Sequence, residues 1–422
     1  MKLIYLYSRM PGAPIQLVSK GEQDGFLTGN PQITFFVAVY RRHTNFAIEA
    51  IEEVFHTAPK LGGKTEVILG NYGDLVHQMF MEIQLPLINI FLAEGTYFVS
   101  WVNSIGHAII NRVEVKIGGI VVDRQYGQWL EIWGELTVPQ SKRNAYYDLI
   151  GHHNNFNANT QPGPLFLWVP LQFWFNRNPG LSLPLIALQN QEVRILVDFT
   201  SFDKLWVSST GTFIQASEEL PNIYKASLWV DYIFLDTEER RKFAYQGHKY
   251  LIEQIQYNLE SVDIQTFQNK IDLDFSHPVK ELIWVIHDCV VMQPVPNGGN
   301  EWFNFSDRPT STNTRPEDPM LDAKLLFNGI DRNHVMAAKY YRVVQTYQYH
   351  TYTPDSFIYI YSFALKPEEH QPTGTANFSK LDSAVLNMTI SSHLTQPQII
   401  MFAPNYNVLE IDAGMAGLLY SD

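Results

Sequence analysis

The sequence predicts an all-β protein built as a tandem pair of antiparallel sandwiches, and three observations carry that reading. Short runs of alternating or continuous β-branched and aromatic residues recur along the 422-residue chain, separated by turn signals. Helical spacing is rare. The main landmarks also occur twice, in the same order, which suits two β-units better than one long fold.

The strand-like runs, in order, are 32–40, 112–117, 165–175, 192–199, 225–234, 282–286, 357–365 and 384–390. Gly118-Gly119 joins Val113-Glu114-Val115-Lys116-Ile117 to Ile120-Val121-Val122, and Asn328-Gly329 follows Lys324-Leu325-Leu326-Phe327; both dipeptides supply the positive φ of tight hairpins. One short helix is expected over 126–137, where Trp129, Ile132, Trp133 and Leu136 fall at i, i+3, i+4 and i+7. Three landmarks pair across the halves: 31–40 with 225–234, Gly119 with Gly329, and Phe173-Trp174-Phe175 before Pro179-Gly180 with Tyr361-Ser362-Phe363 before Pro372-Thr373-Gly374. The boundary is placed at 208–221. The expected organisation is an N-terminal arm at 1–25, a first unit at 26–207, that linker, and a second unit at 222–422.

With 45% hydrophobic residues and near-average glycine and proline, disorder and collagen-like repeats fall away. Thirty Lys and Arg against 43 Asp and Glu give a formal charge of −13, with no basic stripe, so direct nucleic-acid binding is not expected. The single cysteine, Cys289, excludes an intrachain disulfide and a cysteine-based zinc cluster. No apolar run reaches the roughly 18 residues of a transmembrane helix. The chain reads as soluble and cytosol-made.

Chemical motifs are weak. Ala58-Pro59-Lys60-Leu61-Gly62-Gly63-Lys64-Thr65 fits a relaxed phosphate-loop pattern, but Glu66-Val67-Ile68-Leu69 reads as strand where a helix N-terminus is required, so it is taken as a polar surface loop. His152-His153 and Glu368-Glu369-His370 lack ligand spacing, and no metal or cofactor is expected. Gly180-Leu181-Ser182-Leu183-Pro184 resembles a nucleophile elbow with proline in place of its second glycine, and reads as a loop. Glu131 and Glu135, one helical turn apart, are expected on a solvated face. Nothing here requires an enzyme. Asn304-Phe305-Ser306 and Asn377-Phe378-Ser379 make Asn304 and Asn377 candidate glycan acceptors; Asn387-Met388-Thr389 also fits but lies in a strand pattern.

Longer blocks carry a resemblance. Gly29-Asn30-Pro31-Gln32-Ile33-Thr34-Phe35-Phe36 with Val39-Tyr40-Arg41-Arg42-His43-Thr44-Asn45-Phe46-Ala47, then Ile117-Gly118-Gly119 with Asp123, Tyr126 and Trp129, resemble the N-terminal half of the major capsid proteins of nucleocytoplasmic large DNA viruses. Pro179-Gly180-Leu181-Ser182-Leu183-Pro184-Leu185 and Trp229-Val230-Asp231-Tyr232-Ile233-Phe234-Leu235-Asp236-Thr237 are similar to its middle blocks. Asn328-Gly329 with Asp331-Arg332, Gln371-Pro372-Thr373-Gly374-Thr375-Ala376-Asn377-Phe378-Ser379 and Gly414-Met415-Ala416-Gly417-Leu418 complete the series.

The resemblance implies a double jelly roll: two tandem eight-stranded antiparallel jelly rolls with a few short helices in loops. It implies a homotrimer of pseudo-hexagonal outline that tiles an icosahedral shell, assembled in the host cytoplasm, with no catalytic residue. The partners implied are further copies of the chain, minor capsid and penton proteins, and proximity to an internal viral membrane. Residues 261–321 are compact where relatives carry insertions, and the family pattern begins near Met10, so Met10 is expected as initiator. The competing reading is a carbohydrate-binding or carbohydrate-active protein, which would need converging carboxylates or an aromatic platform on one loop cluster.

Overall fold

The structure, a computed structural model, describes residues 13–88, 99–152, 164–208, 211, 220–295, 299–310 and 314–420. Residues 1–45 form one unit and 46–422 another. In the first, the helices α1 (Ala13–Val18) and α2 (Glu22–Thr28) precede turns and coil. The strand expected at 32–40 is not formed. Its residues have the right pattern, but a strand needs a partner for its backbone groups, and residues 13–45 contain no other strand. The reading of Met10 as initiator falls outside the described residues.

Apart from a two-stranded ribbon of Val99–Trp101 with Trp206–Ser208, eight strands build the first half of the larger unit: β1 (Phe46–Val54), β2 (Lys64–Ile68), β3 (Leu75–Leu85), β4 (Ile110–Ile117), β5 (Ile120–Tyr126), β6 (Leu165–Pro170), β7 (Val193–Phe199) and β8 (Lys225–Leu235). They form two antiparallel sheets in the orders β1-β8-β3-β6 and β2-β7-β4-β5. With four short strands added at their edges and ends, eight equivalents follow: β9 (His248–Ser261), β10 (Gln268–Asp272), β11 (Glu281–Asp288), β12 (Met320–Phe327), β13 (Ile330–Asp331), β14 (Tyr359–Ser362), β15 (Ala384–Ile390) and β16 (Pro397–Asp412). Their orders are β9-β16-β11-β14 and β10-β15-β12-β13. The second set repeats the first position for position. Each is a jelly roll.

The expected boundary needs correcting. Residues 225–235, assigned to the second unit, form β8, which inserts between β1 and β3 and completes the first roll. The first roll therefore starts at Phe46 and closes at Leu235. Of the linker 208–221, residues 209–210 and 212–219 lie outside the described residues. Two of the three doubled landmarks hold. Gly118-Gly119 and Asn328-Gly329, all at positive φ, turn the hairpins Ile117↔Ile120 and Phe327↔Ile330. The second aromatic cluster ends the sixth strand of its roll, while the first follows the sixth strand of its own and turns helical at α5 (Trp174–Arg177), so the run 165–175 is strand only to Pro170. The third pairing fails because 31–40 is not a strand.

Helix α3 (Gly127–Thr137) lies where the spacing puts it, and α4 (Gln140–Ile150) follows it unforeseen. Strand β7 shows one-sided burial: Val193, Ile195, Val197 and Phe199 are inward and Arg194, Leu196 and Asp198 outward. In β11 all eight residues are buried. Leu282, Trp284 and Ile286 enter the second roll's own core, while Ile283 and Val285 join the core of the first. The β9-β16-β11-β14 sheet is therefore sandwiched. Trp129 of α3 packs on Phe402 of β16 at 5.3 Å and Tyr126 stacks on Tyr257 of β9 at 4.3 Å between ring centroids.

Candidate functional site

The polar groups that matter most lie at this junction between the rolls. Lys280 is fully buried at the head of β11 and reaches Glu253 of β9 at 2.9 Å and the Pro367 carbonyl at 2.6 Å. Arg177 of α5 meets the same carboxylate from the first roll at 2.8 Å, and His370 lies 3.7 Å away. Burial alone would raise the Glu253 carboxyl, but Arg177 and Lys280 beside it hold it well below the usual carboxylate range. Burial pulls the Lys280 ammonium below its ordinary value, against the opposing pull of Glu253.

A second cluster adjoins it. His350, its side chain fully buried, bridges Glu281 at 2.9 Å and Glu368 at 3.0 Å. Burial works against the imidazolium, yet the Glu281 and Glu368 carboxylates outweigh it and push His350 up to about 9. Asp123 of β5 accepts from the Ile255 amide of β9 at 3.1 Å, and burial pushes its carboxyl up to about 6. Charge and hydrogen bonds thus tie the two rolls into one compact unit.

The acidic pair of α3 is not solvated. Glu131 is buried and accepts from Ser104 at 3.0 Å and His107 at 2.5 Å, while Glu135 takes Tyr147 at 2.9 Å and Arg143 at 2.7 Å. The expectation of a solvated face is overturned because loops from both rolls fold over this side of the helix. A cavity of about 500 Å³ lies there, with Trp302 and Tyr352 also in its wall. The carboxylates do converge, as a sugar site would need, but every oxygen of both already has a donor from the chain. They brace the helix.

The remaining motifs are dispersed. Lys64 opens β2, so a strand follows the phosphate-loop look-alike, and its ammonium sits 3.6 Å from Asp198 across the sheet. Ser182 is buried and donates to the Pro179 carbonyl at 2.6 Å, on a turn without an elbow. His152 contacts the Ser104 hydroxyl at 2.7 Å, and His153 is outside the described residues. Among the described residues no cluster of three or more His, Cys, Asp or Glu could hold a metal ion. The Asn304 amide donates to Glu301 and to the Arg308 carbonyl, Asn377 is exposed, and Asn387 lies half-buried in β15. No helix among the described residues is long and apolar enough to cross a membrane.

Two outer sheet faces contrast. The β2-β7-β4-β5 face carries a charged ladder, with Glu114 clamped by Arg112 at 3.3 Å and Arg124 at 2.6 Å. The β1-β8-β3-β6 face is aromatic, with Trp168 and Trp229 at 5.6 Å between centroids. At its centre Glu82, 8% exposed, accepts from Trp229 and Gln84 at 2.9 Å and from Ser227 and Lys225 at 3.2 Å. Burial opposes ionisation there, and those donors override it and hold the carboxyl down at about 2.

Two rolls of one strand order, fused through a sheet buried on both sides, define a double jelly-roll protein. Residues 34–236 match the family "Major capsid protein N-terminus" and residues 239–417 match "Large eukaryotic DNA virus major capsid protein". The major capsid protein of Pyramimonas orientalis virus is 38% identical over 98% of this chain and 100% of its own length. That of Phaeocystis pouchetii virus is 36% identical with the same coverage of each chain. Among solved structures, the capsid of Paramecium bursaria Chlorella virus 1 matches with a TM-score of 0.77 at 30% identity, over 92% of this chain and 100% of the other. The chain belongs to the major capsid proteins of large eukaryotic DNA viruses. Its role is structural, in the viral shell.

Proposed function

We propose that three copies of this chain form a homotrimeric capsomer of pseudo-hexagonal outline that tiles an icosahedral shell. The observation that carries this is the repeat of one strand order twice in one chain: each chain offers two like corners, and three chains supply six. The contact between chains is then heterologous and closes at three. The capsomer assembles in the host cytoplasm and meets minor capsid and penton proteins in the finished virion, whose internal membrane lies nearby. It catalyses no reaction and binds no nucleic acid directly, in keeping with its −13 charge.

A free capsomer needs an interface of obligate size, on the order of 2,000 Å² or more with an apolar centre. Its acidic charge makes contacts between capsomers repulsive at low salt and favoured by screening, while the trimer itself depends on salt less. Light scattering across a salt series should report a persistent trimer; a stable monomer at micromolar concentration would defeat the proposal. Any N-linked sugar on this shell is assigned to the exposed Asn377 rather than to the engaged Asn304. Peptide mass mapping of virion-derived protein that finds a glycan on Asn304 alone would reverse that assignment.

A further inference from the structure

Within the chain, the outer face of the β9-β16-β11-β14 sheet is covered. One row across it runs Tyr257, Phe402, Ile283, Ile360, and the first roll lays α3 over it through Trp129. The first roll's equivalent sheet presents equivalent rows: Glu52, Trp229, Phe80, Pro170, and beside it Val54, Ser227, Glu82, Trp168. No element of the second roll packs on them: Trp229, Phe80, Trp168 and Pro170 are half-buried, and Val54 and the neighbouring Phe166 are 71% and 62% exposed. The first row ends at a recess of about 460 Å³ bounded by Phe80, Pro170, Trp133 and Lys142.

The second roll has the matching surplus. Between its fifth and sixth strands, the place α3 occupies in the first roll, a π-helical turn (Tyr340–Val344) runs into α7 (Gln345–Tyr349). Tyr341, Gln345 and Thr346 face inward. Val344, Tyr347 and Gln348 face outward, with Tyr347 81% exposed. The first roll therefore has an uncovered aromatic sheet face, and the second an uncovered aromatic helix at the position that covers such a face elsewhere in the molecule.

We infer that the helical stretch 340–349 of one copy docks on the outer face of the β1-β8-β3-β6 sheet of the next, repeating between chains the contact that α3 makes within one. The inference rests on the trimer proposed above and names its interface. Contacts of one kind, alternating within and between chains, close a ring of six rolls after three chains. The sheet face tolerates burial because its central carboxylate, Glu82, already has four donors, so a partner leaves no unpaired charge beneath it. The Trp229 and Trp168 rings have the character of interface anchors, and the recess beside Phe80 suits an aromatic side chain such as Tyr347.

The test begins with Tyr347→Glu, a safe change for folding because the ring is exposed. It should weaken trimer formation about 100-fold, with an unchanged circular dichroism spectrum. Phe166→Glu, at a ring 62% exposed on the sheet face, should do the same from the other side. For direct mapping, Gln78→Cys, in the exposed wall of the recess, and Tyr347→Cys chains, each also carrying Cys289→Ser, are co-expressed and treated with a short bismaleimide. A chain-to-chain product should appear with the mixture and with neither variant alone, as a heterologous contact requires. A wild-type trimer that survives Tyr347→Glu and gives no product in the mixture overturns this interface and leaves the trimer standing. A wild-type monomer overturns both.

Discussion

Glu253→Ala is expected to destabilise the protein by about 3–5 kcal/mol, the cost of leaving buried positive charge without its partner. Among the described residues the carboxylate is the one acceptor that Arg177 and Lys280 share across the junction, at 2.8 and 2.9 Å, and the Lys280 side chain is fully buried. The loss should appear as a lower denaturant midpoint, and as earlier exposure of Trp129 and Trp133 fluorescence, because the break falls between the rolls. Glu253→Leu combined with Lys280→Met should recover much of the loss, since a well-packed apolar pair avoids the desolvation of both ions. A Glu253→Ala protein within about 1 kcal/mol of wild type would show that the cluster does not hold the junction.

The second large effect is alkaline. Its two carboxylate partners push His350 up to about 9 in the folded chain from the ordinary imidazole 6.5 that holds when unfolded, so its contribution is complete below about 6.5 and fades as pH rises through 9. A difference of that size corresponds to about 3 kcal/mol lost between pH 6 and pH 10. Unfolding free energies measured across that window should fall in wild type and stay nearly level in His350→Gln, which starts lower. Equal slopes would remove His350 as the cause. Asp123 acts in the opposite sense: raised to about 6 by burial, its carboxylate strains the fold at neutral pH, and the strain eases as pH falls through 6.

Both clusters were invisible in the sequence, for a physical reason. Lys280 and Glu281 look like the polar head of an apolar strand, and Glu253 and His350 lie 27 residues or more from either in the chain. The one available signal was the unbroken apolar run Leu282 to Ile286, because a strand with no outward polar positions is covered on both faces, and charges at its start are then covered too. Elements with a single hydrophobic face were legible. Strand β15 and helix α3 fall where periodicity places them, and the glycine turns fix two hairpins. Helix α6 (Thr237–Tyr245) was not legible because none of its residues is buried, and α4 because only Arg143, Tyr146 and Ile150 are. The segment 32–40 erred the other way, with strand chemistry and no strand to pair with. The boundary was misplaced because β8 follows the stretch 208–221, which reads as a linker, yet belongs to what precedes it.

The position of β8 sets a timetable for biosynthesis. β1 and β3 are not neighbours; each pairs with β8, which leaves the ribosome some 140 residues after β3 ends. With translation at roughly 5–20 residues per second, the nascent sheet stays split, with two long apolar edges bare, for on the order of ten seconds. The same gap reopens in the second roll, where β9 and β11 wait for β16 near the end of the chain. A messenger cut short before Pro397 thus yields a finished first roll joined to an unclosable second one, a species suited to capture by chaperones or to aggregation, and a particle built from this chain depends on full-length synthesis more strictly than its modular outline suggests.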